Sequence, residues 1–551
     1  MAPLTVGRRP GFRVGRTGKR KGQAHVFDYI IIGAGSAGCV LANRLSADPD
    51  AKVLLLEAGP RDSHPFIHMP AGLAKLVNNR RVNWDYHTAP EPALDNRTLW
   101  WPRGKVLGGS SSINAMCYTR GVPGDYDDWA AQGADGWDWA SVLPYFRRSE
   151  RNARGSDALH GDEGPLYVAD LRHSNPLSHA FIEAGHQAGH PLNDDFNGPV
   201  QDGFGLYQVT QKNGARCSSA VAYLDPVRTR RNLTIVTDAQ VNRITFERGR
   251  ANGVVYRSKG RAFHQAAARE VLLCGGALNS PQLLMLSGIG PAMQLRRHGI
   301  DVVVDAPQVG ENLQDHLDIC TLRHCPQPIT YDRLSDARIA FDYYLRGHSG
   351  IGSSNIAEAG GFVRSRFAPD ERPDIQLHFV PAMLDDHGRH RLPGDGYTVH
   401  ACFLRPRSRG RVRLMSAHAG DHVRIEANYL SDADGFDLKM MVECAKLSRE
   451  LLAQPAFDAY RGAPIFPARD DLDDEDLVAF IRAKAETIYH PVGTCRMGSD
   501  ALSVVDPQLR VRGVEGLRVV DASVMPMLVG GNTNGPTMMI AERAAELIRT
   551  A

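Results

Sequence analysis

The run FDYIII at residues 27–32 leads directly into GAGSAG at 33–38, and this junction limits the fold more than any other feature of the chain. A short, β-branched apolar run reads as a strand buried on both faces. CVLANRL at 39–45 then has helical composition, and KVLLL at 52–56 reads as a second strand ending at Glu57. Together they form a βαβ unit of roughly 30 residues. Gly33, Gly35 and Gly38 suit a tight turn, a close approach of a pyrophosphate and close helix–strand packing. Ser36 and Ala37 open a helix whose free N–H groups and dipole favour phosphate. Glu57 stands 19 residues past Gly38, where a carboxylate accepts hydrogen bonds from a ribose diol and repels a 2′-phosphate. The unit predicts a dinucleotide, disfavours NADP, and by itself leaves FAD and NAD both open.

The 551 residues call for roughly two to four packed units. Two later segments repeat the strand-then-turn pattern: EVLLCGGA at 270–277 and LRVVDA at 517–522. If both return to the first sheet, the cofactor domain is discontinuous and large, which suits a deeply buried FAD better than a shuttling nicotinamide. Ordinary core strands are the alternative for either segment alone.

Composition removes several function classes. The net charge of +2 comes from the N-terminus, where Arg8, Arg9, Arg13, Arg16, Lys19, Arg20 and Lys21 stand without any acid. The remainder carries more acids than bases, so it has no nucleic-acid footprint. Residues 1–26 read as a basic disordered tail, with an anionic-surface arm or a targeting peptide as the functional alternatives. No apolar run reaches the ~18–20 residues of a membrane span. Nine scattered cysteines without CxxC spacing predict reduced, buried thiols in a cytoplasmic setting. There is no HExxH, no zinc-type Cys/His spacing and no GxSxG elbow, so no metal is expected and hydrolase readings lose support.

Further glycine-rich stretches carry a family likeness. RGKVLGGSSSINAM at 103–116, GGALNSPQLL at 275–284 with SGIG at 287–290, GENLQDH at 310–316, HPVGTCRMG at 490–498 and GNTNGPT at 531–537 occur in one order along nearly the whole chain. In this the chain resembles the glucose–methanol–choline (GMC) oxidoreductases. AGPRD at 58–62, QVTQKNG at 208–214 and AETIYH at 485–490 give a closer likeness to the FAD-dependent alcohol dehydrogenases of alkane assimilation, with choline dehydrogenases next. The resemblance implies FAD, oxidation of a primary alcohol to the aldehyde, and a quinone or other electron carrier rather than NAD as acceptor. It extends to peripheral contact with the inner face of the cytoplasmic membrane.

Removing a carbon-bound hydride from an alcohol also requires a base for the hydroxyl proton, and histidine titrates near working pH. The resemblance puts the catalytic histidine on His490 and its partner on Asn534. It sets Asn114, Ala115, Met116 and Cys117 against the isoalloxazine, Asp521 and Ala522 at the ribityl–phosphate region, and Val241 near the adenine. Ala58, Val106, Gly109, Tyr489, Pro536 and Thr537 complete the implied cofactor set. Ile113 stands where covalently flavinylated relatives carry histidine, so the FAD is expected to be non-covalent.

Other candidates read as structural. His316 fits a hydrogen-bonding role better than catalysis, and DDLDDED at 470–476 fits the solvated N-terminus of a helix carrying Leu477, Phe480 and Ile481. The predicted architecture is α/β: a discontinuous Rossmann-like FAD-binding domain (27–165, 215–315 and 485–551) interleaved with a substrate-binding domain built on an antiparallel sheet (166–214 and 316–484). Alternation at 410–414 and 422–426 fits half-buried strands of that sheet. An oxygen-using oxidase, a choline dehydrogenase, a flavin-containing hydroxynitrile lyase and a basic-arm binding protein are the competing readings.

Overall fold

The computed structural model describes residues 26–333 and 335–550, so the basic tail at 1–25 lies outside the described residues. The βαβ unit folds as its sequence demands. Strand β1 (Phe27–Ile32) and strand β2 (Val53–Leu56) lie parallel, with Ile30 opposite Leu54, and helix α1 (Ser36–Leu45) connects them. Ile30, Ile31, Leu54 and Leu55 are buried on both faces of the sheet, which is why the strand shows no polar alternation.

Five more strands complete the sheet from distant parts of the chain. β3 (Leu233–Val236) pairs parallel with β2; β4 (Ala239–Glu247), β5 (Arg250–Ser258) and β6 (Arg261–Leu273) form an antiparallel meander. β6 is 13 residues long, and its last residues leave the meander to pair parallel with β1 and with strand Leu517–Val519. The parallel order is therefore β3, β2, β1, β6 and Leu517–Val519. Both later strand-then-turn segments do return to the first sheet. Helix α2 (Gly276–Leu286) follows β6 and is buried almost throughout.

A second sheet is wholly antiparallel. Its strands run in the order Pro464–Phe466, Leu317–His324, Gly396–Phe403, Ile375–Val380, Ala359–Val363 and Gly203–Leu206, and Glu486–Thr487 also pairs with Leu317–His324. Alternation sorts the two faces. Leu377, Phe379, Val399, Ala401 and Ile319 share a core with Met440, Met441 and Cys444 of helix α3 (Phe436–Leu452). The opposite face presents His378, Val380 and His400 to a cavity between the two sheets.

Two expectations shift and two hold. Arg411–Arg413 and Arg424–Glu426 are strands but pair only with each other, outside the large antiparallel sheet, because their neighbours are loops. Glu486–Thr487, assigned above to the cofactor part, joins the second sheet. Acids 473–476 do begin a helix, Asp474–Lys484, where Asp473 and Asp476 form a capping box. All nine cysteines are buried and unpaired.

Candidate active site

A cavity of about 540 Å³ runs from the β1–α1 turn to the second sheet. At its first end the glycines act by shape. Gly33 has φ +96°, a left-handed conformation that favours glycine, and a Cβ on Gly38 would lie 1.9 Å from the Gly33 carbonyl oxygen. Gly38 thus brings α1 against the strand end without itself lining the cavity. At Gly35 a Cβ would meet nothing within 4 Å, so that position opens onto free space at the bare N-terminus of α1, where no side chain caps the N–H groups. Glu57 is buried; one carboxylate oxygen accepts from the Ala34 N–H and the other from the Gly59 N–H, both at 2.8 Å. Burial pushes its carboxyl up to about 7, against the pull of those N–H groups. A bare helix N-terminus beside a buried carboxylate fits a dinucleotide, with its pyrophosphate at the former and a ribose diol at the latter.

The middle of the cavity is tied together across the sequence. Asp521 accepts from Gly276 N–H (2.8 Å), the Ser280 hydroxyl (2.6 Å) and Ser523 N–H (2.8 Å), joining the turn after β6 to the turn after Leu517–Val519. Asn114 accepts from Met116 N–H at 3.1 Å and from the buried Arg216 guanidinium at 2.8 Å. It lines the cavity and caps its own turn at once. Ala58, Gly109, Ala115, Met116, Cys117, Val241, Ala522 and Thr537 also lie on the wall; Val106 and Pro536 do not. Val106 instead packs in a satellite core with Ile67, Leu76, Val82 and Ile113, and Pro536 is buried in the first turn of helix α4 (Asn534–Arg549).

His490 sits at the far end, buried, and its tautomer follows from its neighbours. His316 Nε2 lies 3.1 Å from the Leu404 carbonyl, which can only accept, so that nitrogen carries the proton. Burial lowers His316 to about 3, so its Nδ1 keeps a lone pair. His490 Nδ1 stands 3.0 Å away and donates to it. That leaves the lone pair on His490 Nε2, where the Asn532 amide N–H approaches at 3.2 Å. The Asn532 oxygen is already taken by Gln376 (3.0 Å) and Thr119 (3.2 Å), which fixes the amide orientation. Burial, then His316, His378 and Arg103, hold the His490 imidazole well below its ordinary value and so neutral. Asp315 accepts from the His490 backbone N–H at 2.7 Å and fixes the loop. His316, read above as structural, is the group that sets the His490 tautomer.

The partner assignment needs correcting. Asn534 does not face His490; its side-chain oxygen accepts from the Ser36 hydroxyl at 2.7 Å, linking the N-termini of α1 and α4. Asn532, two residues earlier in the same GNTNGPT stretch, takes the place beside the imidazole. The turn into α4 begins between them, so the two side chains leave in different directions.

Distant side chains also gather along the cavity wall and just beneath it. Asp318, Cys320 and His400 lie together, with Asp318 to His400 at 2.6 Å and Cys320 to His400 at 3.1 Å. Tyr489, on the wall with φ +74°, contacts His387 at 2.5 Å, and His387 lies 3.4 Å from Glu486. The absence of metal-type spacing in the sequence did not anticipate these groupings, because strand pairing creates the first and the turn Asp386–Gly388 packing against Glu486 and Tyr489 creates the second.

The GMC oxidoreductase family models match residues 27–318 and 406–541. The chain belongs to the GMC oxidoreductase family. It is 50% identical over 95% of its length to an alcohol dehydrogenase [acceptor] of Pseudomonas putida, covering 96% of that protein. It is 47% identical to the mitochondrial choline dehydrogenase of Mus musculus, covering 95% of this chain and 89% of that one. Among solved structures, pyridoxine 4-oxidase from Mesorbium loti superposes with a TM-score of 0.87 at 32% identity, covering 95% of this chain and 99% of that one.

Proposed function

We propose that the protein oxidises a primary alcohol to its aldehyde, with His490 as the base and a quinone or similar carrier as final acceptor. FAD-dependent alcohol oxidation with an acceptor other than NAD follows from family membership. The observation that carries the His490 assignment is the hydrogen-bond sequence Leu404–His316–His490, which leaves the Nε2 lone pair at the cavity. Bound FAD supplies a hydride acceptor at flavin N5. An entering hydroxyl takes the place now held by the Asn532 amide, donating its proton to His490 Nε2 while its oxygen accepts from Asn532. His490 is buried, and the low dielectric around it sharpens both interactions. Ile113 offers no atom for a covalent flavin link, in keeping with a non-covalent cofactor.

The substrate end is lined by Ile351, Ile356, Val380, Ala382, Met383 and Leu384, an aliphatic wall that suits an uncharged chain. No helix among the described residues is long and apolar enough to cross a membrane. Peripheral contact is supported by helix Asp336–Leu345, whose Ile339 lines the cavity while Phe341, Tyr344 and Leu345 are exposed. An exposed apolar patch beside a cavity mouth suits a membrane-borne electron carrier.

The test is an anaerobic visible spectrum before and after addition of alkanols, ether alcohols and choline. Bleaching of the flavin bands by an uncharged alcohol supports the reading. Flavin that no alcohol bleaches overturns it, and rapid reoxidation by air would replace the carrier with oxygen.

A further inference from the structure

One imidazole on the cavity wall has no part in the proton transfer. His400 lies on strand Gly396–Phe403, directly opposite His378 on one neighbouring strand and Cys320 on the other. Such opposed pairs on one face have Cβ atoms about 5 Å apart. His378 belongs to the His490 end: it contacts Gln376 at 3.3 Å, and Gln376 in turn donates to Asn532. His400 is therefore one strand further from the base, where the rest of a bound alcohol extends.

Its ring is held from behind. Asp318 accepts from Nδ1 at 2.6 Å, while Nε2 makes no hydrogen bond to any described residue and the ring lines the cavity. Although burial alone would lower it, the Asp318 carboxylate beside it raises the His400 imidazole above its ordinary value. The other groups facing it carry little charge near neutrality. Burial pushes Glu486 up to about 8 and the Cys320 thiol higher still, and lowers His378 and His387 to about 3. Asp318 thus favours the protonated ring, in which an unused Nε2–H turns toward the substrate. Carboxylates on the wall are Glu57, Asp521 and Asp332, and Asp332 already accepts from the Met383 and Gly396 N–H groups at 3.1 Å.

We infer that His400 is a specificity-determining residue: backed by Asp318, it donates Nε2–H to a second oxygen of the substrate, so the enzyme prefers uncharged alcohols bearing an ether or hydroxyl oxygen over plain alkanols and rejects quaternary ammonium alcohols. This rests on the alcohol-oxidation reading and adds the substrate class. A hydrogen bond to a charged group, lost when the oxygen is replaced by methylene, leaves a buried donor unpaired.

The test compares kcat/KM of the holoenzyme for 2-propoxyethanol, 3-ethoxypropan-1-ol, 1-hexanol and choline, all read by flavin reduction. The wild type is expected to prefer the better ether alcohol over 1-hexanol by about 10-fold or more. In His400→Leu the preference should collapse to within about 3-fold, and choline should gain relative to 1-hexanol. Each comparison is a ratio within one protein, so a general loss of activity divides out. His400→Gln, which keeps an amide donor, should retain part of the preference. A wild type indifferent to the ether oxygen, or one that favours choline, overturns the inference whether or not any variant folds. A preference unchanged in a folded His400→Leu protein overturns it too. A flavin bleached by no alcohol is a different result: it removes the alcohol reading, and this inference with it.

Discussion

At the scale of single residues, the active end of the cavity depends on which nitrogen carries a proton. His490→Ala should retain FAD yet slow anaerobic flavin reduction by about 10²–10⁴-fold in stopped flow; an unchanged rate would remove the base assignment. Because the imidazole is held well below its ordinary value, its neutral form persists on the acid side. The wild-type reduction rate should therefore show no break near pH 6.5, where an unperturbed histidine would titrate. The two asparagines separate cleanly. Asn532→Ala removes an N–H from beside His490 Nε2 and should slow reduction, though less than loss of the base. Asn534→Ala should instead cost about 1 kcal/mol of stability through the lost Ser36 bond. The reverse pattern would restore Asn534 as partner. His490 was legible because a motif of nine residues marks it. The choice between Asn532 and Asn534 was not, since one motif contains both and only the turn into α4 decides which faces the ring. His400 and Asp318 lie 82 residues apart and meet through strand register, which a single sequence does not display.

At the scale of elements, the β1–α1 turn uses its glycines in two different ways, and variants should tell them apart. A methyl at Gly38 runs into the Gly33 carbonyl, so Gly38→Ala must push α1 off the sheet and should lower Tm and yield colourless protein. A methyl at Gly35 meets no protein atom, and its φ of −78° suits alanine. Gly35→Ala should fold with the stability of the unloaded wild type and show its defect only in FAD affinity, measured by fluorescence titration. Equal effects of both on Tm would contradict this division. The turn could be read from sequence because strand, glycines, helix and acid are contiguous and their geometry is local. The second sheet was expected only in outline. Its strands at 359–363 and 375–380 are buried throughout, so no exposed face marks them, whereas the alternating stretches near 411 and 425 form a small sheet of their own.

At the scale of the whole molecule, stability is anchored outside the cavity wall as well. His160 is buried between Asp195 at 2.9 Å and Glu150 at 3.1 Å, with Arg120 also bonded to Glu150. Burial would lower the imidazole, but the two carboxylates reverse that and hold it at about 9. A histidine raised in the folded state stabilises fully below about pH 6.5 and loses that stabilisation as pH rises toward 9, a span worth roughly 3 kcal/mol. Tm should therefore fall across pH 6.5–9, and His160→Gln should flatten the fall; identical profiles would count against this network.

The first sheet also sets a timetable. β1 leaves the ribosome long before the strand that closes β6 and before the Asn534 that grips Ser36 from 498 residues away. At about 5–20 residues per second, roughly 25–100 s of translation separate Ser36 from its partner. Through that interval the growing chain carries an unfinished sheet edge and half a nucleotide cradle. Cofactor capture must therefore wait until both ends of this sheet have been made, and until then the exposed edge is open to wrong pairing.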